Sequence, residues 1–290
     1  MYKQISANKR KSIVLIILFI ILVGAIGWAL GQIFRFGYAG IIWALIIAIG
    51  LSLLSYYSGD KIALFTAGAQ PIAKEQNPYV YRMVENLCIT SGLPLPKIYI
   101  INDPAPNAFA TGRDPKHSSI AVTTGLIERL ENEELEGVLA HELSHVKNYD
   151  IRIMMVVIIC VGFITLLADI FLRGSLFGGS RRREGGSILA IVGLILIILS
   201  PIFARLIQFA ISRKREFLAD ASGALLTRYP EGLARALEKI SSYKDPMRRT
   251  NKATAHLYIA SPFGGKKGFR NLFSTHPPIE ERVKALRTMA

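Results

Sequence analysis

Two long uncharged apolar blocks near the start of the chain constrain it most. Residues 12–34 read SIVLIILFIILVGAIGWALGQIF, and residues 37–57 read GYAGIIWALIIAIGLSLLSYY. A helix needs about 20 apolar residues to cross a bilayer, so each block suffices for one crossing. A cleaved leader does not fit the first block. Its apolar core is too long, and a second block follows with no small-residue cleavage site between them. Two weaker blocks come later: residues 153–172, interrupted by Asp169, and residues 187–204, which carry Pro201. These predict an α-helical polytopic membrane protein of about four spans. The alternative for the last two is a buried or interfacial helical hairpin.

The formal net charge is +14. Nucleic acid is one class of partner for so basic a chain, but no basic motif interleaved with aromatics is present. Beside crossing helices, the excess of Lys and Arg points to the anionic cytoplasmic lipid face. The expected partners are therefore the lipid bilayer and protein or peptide substrates, with no nucleic acid. Lys3, Lys9, Arg10 and Lys11 precede the first block, while only Arg35 follows it. That asymmetry predicts a multi-pass protein of the cell membrane, with the N-terminus and everything after Tyr57 on the cytoplasmic side. Arg173, Arg181, Arg182 and Arg183 conflict with it, because the loop between the later blocks should lie outside. Cys88 and Cys160 read as unpaired.

Asn77-Pro78 opens a helix that Gly92 can terminate. Residues 97–101 (KIYII) read as a strand, and 108–111 and 119–123 as two more. Residues 126–130 form a helical turn. Asn132 then caps a helix whose first turns carry Glu133, Glu134 and Glu136, the sign favoured there by the helix dipole. No Gly or Pro occurs between Val138 and Cys160, so this helix is expected to run straight into the third span. His145 would then sit about 12 Å from the bilayer, at 1.5 Å per residue. Residues 213–227 and 278–289 read as helices, 241–275 as a loop, and His117 and His256 as surface residues. The expected organisation is a tail and two spans (1–57), a first catalytic part (58–150), a transmembrane hairpin (151–204) and a second catalytic part (205–290).

The helix from Asn132 contains His141-Glu142-Leu143-Ser144-His145. Histidines at i and i+4 share one helix face, about 6 Å apart at Cβ, so both can bind one Zn²⁺. The glutamate between them can act as general base on a water at the open coordination position. Two ordinary surface histidines on an acidic helix are the alternative. Glu216 is the candidate third ligand. Asp220, one turn on, could hold a ligand histidine's second ring N–H. Spacing alone leaves open a solvated salt-bridge face among Arg213, Lys214, Arg215 and Glu216.

The chain resembles the HtpX-type integral-membrane zinc metalloproteases, relatives of the type I CaaX prenyl proteases. The residues that carry the resemblance are Asn107-Ala108-Phe109-Ala110-Thr111-Gly112, His141 to His145 with Asn148 and Asp150, Glu216-Phe217-Leu218-Ala219-Asp220, and Thr275-His276-Pro277-Pro278 with Arg282. It implies a cytoplasmic zincin-like α+β domain and one zinc ion held by His141, His145 and Glu216. Glu142 is the implied catalytic base. His276 and Arg282 would stabilise the oxyanion, and Asn107, Ala108, Phe109, Ala110 and Thr111 would bind substrate backbone by strand addition. The implied role is hydrolysis of peptide bonds in membrane or misfolded proteins, as quality control. Three alternatives stand beside it. An intramembrane protease would place the motif within a span, a CaaX-type processing enzyme would carry more spans, and a zinc-bound scaffold would not cleave.

Overall fold

The computed structural model describes residues 2–33, 36–158, 162–163, 213–251, 254–264 and 277–289. Most of the third block, all of the fourth, the arginine-rich loop between them and His276 lie outside the described residues.

The first two blocks form an antiparallel hairpin of long helices, α1 (Tyr2–Ile33) and α2 (Ala39–Ala67). Within them, Ile5–Trp28 and Ala39–Ala67 are long and apolar enough to cross a membrane. Small residues line the seam. A Cβ added at Gly27 would strike the Ala44 side chain, and one at Gly31 would come within 2.6 Å of the Gly37 carbonyl. The large side chains face outward instead, including Ile13, Ile17, Ile21, Trp43, Ile46 and Leu53. A boundary at Tyr57 falls inside α2, which continues unbroken to Ala67 and ends on Gly68 at φ 68°. The hairpin therefore hands the chain to the next module through a rigid helix.

That module is built on a four-stranded sheet: β1 (Ala69–Pro71), β2 (Lys97–Ile101), β3 (Ala108–Asp114) and β4 (His117–Thr123). The spatial order is β1-β2-β4-β3, with β2 and β4 parallel and the outer pairs antiparallel. Side chains alternate across the strands, so two cores form. Ile98, Ala108, Ala110, Ile120 and Val122 face α3 (Pro78–Ser91) and α5 (Asn132–Lys147). Ile101, Phe109 and Ala121 face the end of α2 and the 150–158 helix, α6. A short helix, α4 (Thr124–Arg129), links the sheet to α5. Helix α3 begins as expected, with the Asn77 side chain accepting from Val80 N–H at 3.1 Å. The start of α5 differs from expectation. The N-cap is Glu131 rather than Asn132, and the Glu134 carboxylate accepts the Glu131 N–H at 2.9 Å.

After the undescribed stretch come α7 (Arg213–Thr227), α8 (Pro230–Ser242), a 3₁₀ turn (Ala255–Leu257) and α9 (Ile279–Arg287). Helix α8 was not anticipated. Its signals are Pro230 at the first turn and the buried stripe Leu233, Ala234, Ala236, Leu237 and Ile240. His256 is buried, not a surface residue.

The expected unbroken run from α5 into α6 is not observed. Helix α5 stops at Lys147, Asn148 caps it, and Tyr149 adopts φ 60° before α6 begins. A left-handed non-glycine residue costs roughly 1–3 kcal/mol, so neither Gly nor Pro was needed to break the helix. Lys9 of α1 lies over the Tyr149 ring, 4.4 Å from its centroid. The length count along a single helix loses its basis at this break.

Candidate active site

Helix α5 carries His141, Glu142 and His145, and α7 carries Glu216 and Asp220. Gly223 lets the two helices approach. A Cβ there would lie 3.0 Å from the His141 backbone nitrogen. The approach brings three ligand-type atoms together in a buried spot. His141 Nε2 and His145 Nε2 are 3.1 Å apart, and the Glu216 carboxylate oxygens lie 3.9 and 3.6 Å from them. All three residues are buried and can hold one metal ion. Tetrahedral ligands at zinc–nitrogen distances stand about 3.3 Å apart, so this trio fits such an ion with little adjustment.

The outer ring nitrogens fix the orientation. His141 Nδ1 is 2.9 Å from Asp220 Oδ1, and His145 Nδ1 is 3.0 Å from Asp150 Oδ2. An ionised carboxylate can only accept, so each Nδ1 donates and each Nε2 is directed inward. Asp220 thus lies where the sequence reading put it, beside a ligand-type histidine. Asp150 was not assigned this position, and the helix break explains why. On a continuous helix Asp150 would sit about 140° around the axis from His145, at 3.6 residues per turn. The turn at Asn148-Tyr149 swings it back. Asp150 is itself held at Oδ1 by Asn8 Nδ2 at 2.8 Å and Arg215 Nη1 at 3.1 Å. Neither contact is legible from spacing, because both partners are distant in the chain.

Arg282 of α9 is fully buried. Its Nε and Nη2 donate to both oxygens of Asp220 at 2.8 and 2.6 Å, and its Nη1 lies 3.8 Å from Glu216 Oε2. Burial raises the Asp220 pKa, but the Arg282 guanidinium outweighs it and holds the carboxyl down at about 2. Burial and the nearby Glu216 push the Glu142 carboxyl up, against His141, His145 and the Ala110 backbone N–H. Burial alone would lower His145. The Asp150 hydrogen bond and the charges of Glu216, Asp150 and Glu142 win, raising it to about 9.

Residues 108–111 lie on β3, the edge strand beside the site. The Thr123 N–H bonds the Asn107 carbonyl, so strand alternation turns the backbone groups of Ala108 and Ala110 away from β4. The Ala108 carbonyl accepts from Ile259 N–H at 3.0 Å. The Asn107 amide bridges to Ala260, donating to its carbonyl at 3.0 Å. The segment around 258–260 therefore already lies against the start of this edge. Phe109 and Thr111 point to the opposite face, toward Tyr258 and Met155.

A model of peptidase family M48 matches residues 74–290. The chain belongs to peptidase family M48. The M48 peptidase is 47% identical over 288 residues to a Protease HtpX homolog of Dictyoglomus thermophilum, covering 99% of this chain and 94% of that protein. Its identity to a Protease HtpX homolog of Tropheryma whipplei is 44% over 289 residues, covering 100% and 98%. The resemblance found on the motifs thus holds over the full length. The crystal structure of S. mikatae Ste24p shares the fold, with TM-score 0.53 at 20% identity over 99% of this chain and 67% of that one. As a member of this family the protein is a metallopeptidase. The family implies a metal cofactor, and the buried His141, His145 and Glu216 group could hold a metal ion.

Proposed function

We propose that this M48 peptidase is a zinc-dependent endopeptidase of the cell membrane, acting on membrane or misfolded proteins in quality control. The observation that carries the reading is the convergence of His141, His145 and Glu216. Their two histidines are each oriented by a buried carboxylate. In this reading the trio holds one zinc ion. When bound, zinc supplies a Lewis acid that polarises the scissile carbonyl and acidifies a neighbouring water. Glu142 takes the proton from that water and later returns it to the departing amine. Its raised pKa suits both steps, since a base tuned toward the working pH transfers protons best. Asp220 and Asp150 keep the imidazoles in the ligating tautomer.

Arg282 turns Nη1 toward Glu216 and, with His276, is the proposed stabiliser of the developing oxyanion. Asn107, Ala108, Phe109, Ala110 and Thr111 are the proposed substrate edge. Ala108 and Ala110 turn backbone groups to that edge. For an added strand to bind fully, the 258–260 segment must yield at the Ala108 carbonyl and Glu142 must release the Ala110 N–H. We also read the chain as four spans, with a cytoplasmic domain split into 58–150 and 205–290 around the hairpin of residues 151–204. The two apolar helices and the basic residues before the first one support that orientation.

The test is casein cleavage by the detergent-purified chain, with and without chelator, beside Glu142→Gln. Cleavage should stop with chelator. In Glu142→Gln it should fall about 10²–10⁴-fold, the usual share of a general base, while metal stays bound. Cleavage by Glu142→Gln at the wild-type rate would sink the mechanism. A metal-loaded chain that cleaves nothing would favour a scaffold.

A further inference from the structure

We propose that the chain binds the phosphate of an acidic phospholipid headgroup in a cavity between α1 and α7, on the side of Asp150 away from the metal residues. The cavity measures about 180 Å³ and is lined by Asn8, Lys11, Asn148, Asp150, Lys214 and Arg215. A water occupies about 30 Å³ of the liquid, so a tetrahedral oxyanion fits easily.

Arg215 supplies the main argument. It is 9% exposed, and its Nη1 is bonded to Asp150. Its Nε and Nη2 are buried and have no hydrogen-bond partner among the described residues. These two nitrogens share one edge of the guanidinium, the edge that grips two oxygens of a phosphate side by side. A pair of unmet buried donors is uncommon in a native fold and calls for a ligand or water. The Asn148 Oδ1 is also buried without a partner among the described residues. A half-turn of that amide would offer its NH₂ to the same oxyanion.

Charge agrees. Lys11, Lys214 and Arg215 stand against Asp150 alone, three positive charges to one negative and a net of two positive. Asp150 has both oxygens engaged, by Asn8 and Arg215 at one and His145 at the other. The ammonium groups of exposed Lys11 and Lys214 would guard the mouth. The outward apolar side chains of α1 begin at Ile13 and Val14, within one turn of Lys11. If that band lies in hydrocarbon, the cavity lies at headgroup depth, where anionic lipid is abundant. This depth rests on the membrane reading above, whereas the anion site itself does not.

The full-length chain would be delipidated and returned to vesicles of equal parts phosphatidylcholine and phosphatidylglycerol. Bound lipid is then read by native mass spectrometry, with chelator present so that peptidase activity plays no part. One phosphatidylglycerol per chain should be retained in preference to phosphatidylcholine. Lys11→Gln with Lys214→Gln, both exposed sites, should weaken retention about 30-fold. Leu218 also lines the cavity, and Leu218→Glu, which sets a carboxylate in its wall, should abolish it. Inorganic phosphate in neutral detergent is the second arm. If it binds and phosphatidylglycerol shows no preference, the lipid occupant is overturned and a free-phosphate site remains. Failure of both to bind, or equal retention in the Lys11/Lys214 variant, overturns the site altogether.

Discussion

The α1–α2 hairpin and the peptidase module solve opposite packing problems. The hairpin turns Ile13, Ile17, Trp43 and Ile46 outward and keeps Gly27, Gly31, Gly40 and Ala44 in its seam. In lipid no hydrophobic force drives helices together, so close approach of small residues must supply the contact. The module packs its apolar residues inward over both sheet faces and then buries His141, Glu142, His145, Glu216, Asp220, Asp150, Arg215 and Arg282 among them. Charges so placed persist only when paired. The two regions are joined by the apolar end of α2, where Ala63, Leu64 and Ala67 pack on the sheet, and by a few polar contacts. Asn8 holds Asp150, and the Ser55 hydroxyl bonds the Met155 carbonyl at 3.2 Å. The contrast teaches that the hairpin is specified by what its surface lacks, and the module by a continuous chain of paired groups.

The largest expected effect is on the module side. Arg282→Met removes the partner of a fully buried Asp220. Breaking such a pair by losing one member costs about 3–5 kcal/mol. Metal affinity should fall a further 10–100-fold as His141 loses its fixed carboxylate. Ile17→Ala on the hairpin's outer face should stay within about 0.5 kcal/mol. Denaturant titration in detergent with metal analysis compares the two. Equal losses would mean that the hairpin carries buried structure of its own, and the contrast would fail.

The middle effect sits at the junction. Asn8→Ala deletes a donor to Asp150 and to the Asn148 carbonyl, both at 2.8 Å. Hydrogen bonds to charged groups contribute about 1.5–3 kcal/mol. Peptide cleavage should drop with kcat more than KM, because Asn8 acts on His145 through Asp150 and touches no substrate. Asn8→Asp should be worse than Ala, since it sets two carboxylates face to face. Unchanged kcat in both variants would show that the regions are merely adjacent.

The parts legible in the sequence were those governed by local rules. Asn77-Pro78 and Gly92 bracketed α3, KIYII marked β2, and the i, i+4 histidines fixed one face of α5. Asp220 followed from Glu216 by the same helical spacing. Contacts between segments far apart in the chain were not legible. Asp150 read as part of a continuing helix because nothing local breaks it at Tyr149, and tertiary contacts must outweigh the cost of φ 60°. Asn8 lies 142 residues from Asp150, a pairing no periodicity encodes. Helix α8 carries its stripe on Leu233, Ala234, Ala236, Leu237 and Ile240, of which Ala234 and Ala236 are small residues that periodicity marks weakly, and its last two residues fall in the stretch that reads as a loop.

The smallest effect is a proton. Metal-free His145 titrates at about 9, held charged chiefly by Asp150 against the pull of burial. A metal ligand must be the neutral imidazole. Below about 9 the metal-free site therefore carries a proton that binding must expel. Affinity should rise about tenfold per pH unit in that range, from this group, and level off above it. Calorimetry of Zn²⁺ binding at neutral pH, in two buffers of different ionisation enthalpy, should count about one proton released at this residue. Asp150→Asn removes the charge and leaves only a neutral amide oxygen to accept from His145, so its proton count should fall below one, with Glu216 and Glu142 still favouring the charged ring. Ile17→Ala on the hairpin should leave the count unchanged. A count of zero in the wild type would mean that His145 is already neutral and that Asp150 orients the ring without charging it. An altered count in Ile17→Ala would mean that the outward face of the hairpin, and not only Asn8 at its base, reaches into the electrostatics of the site.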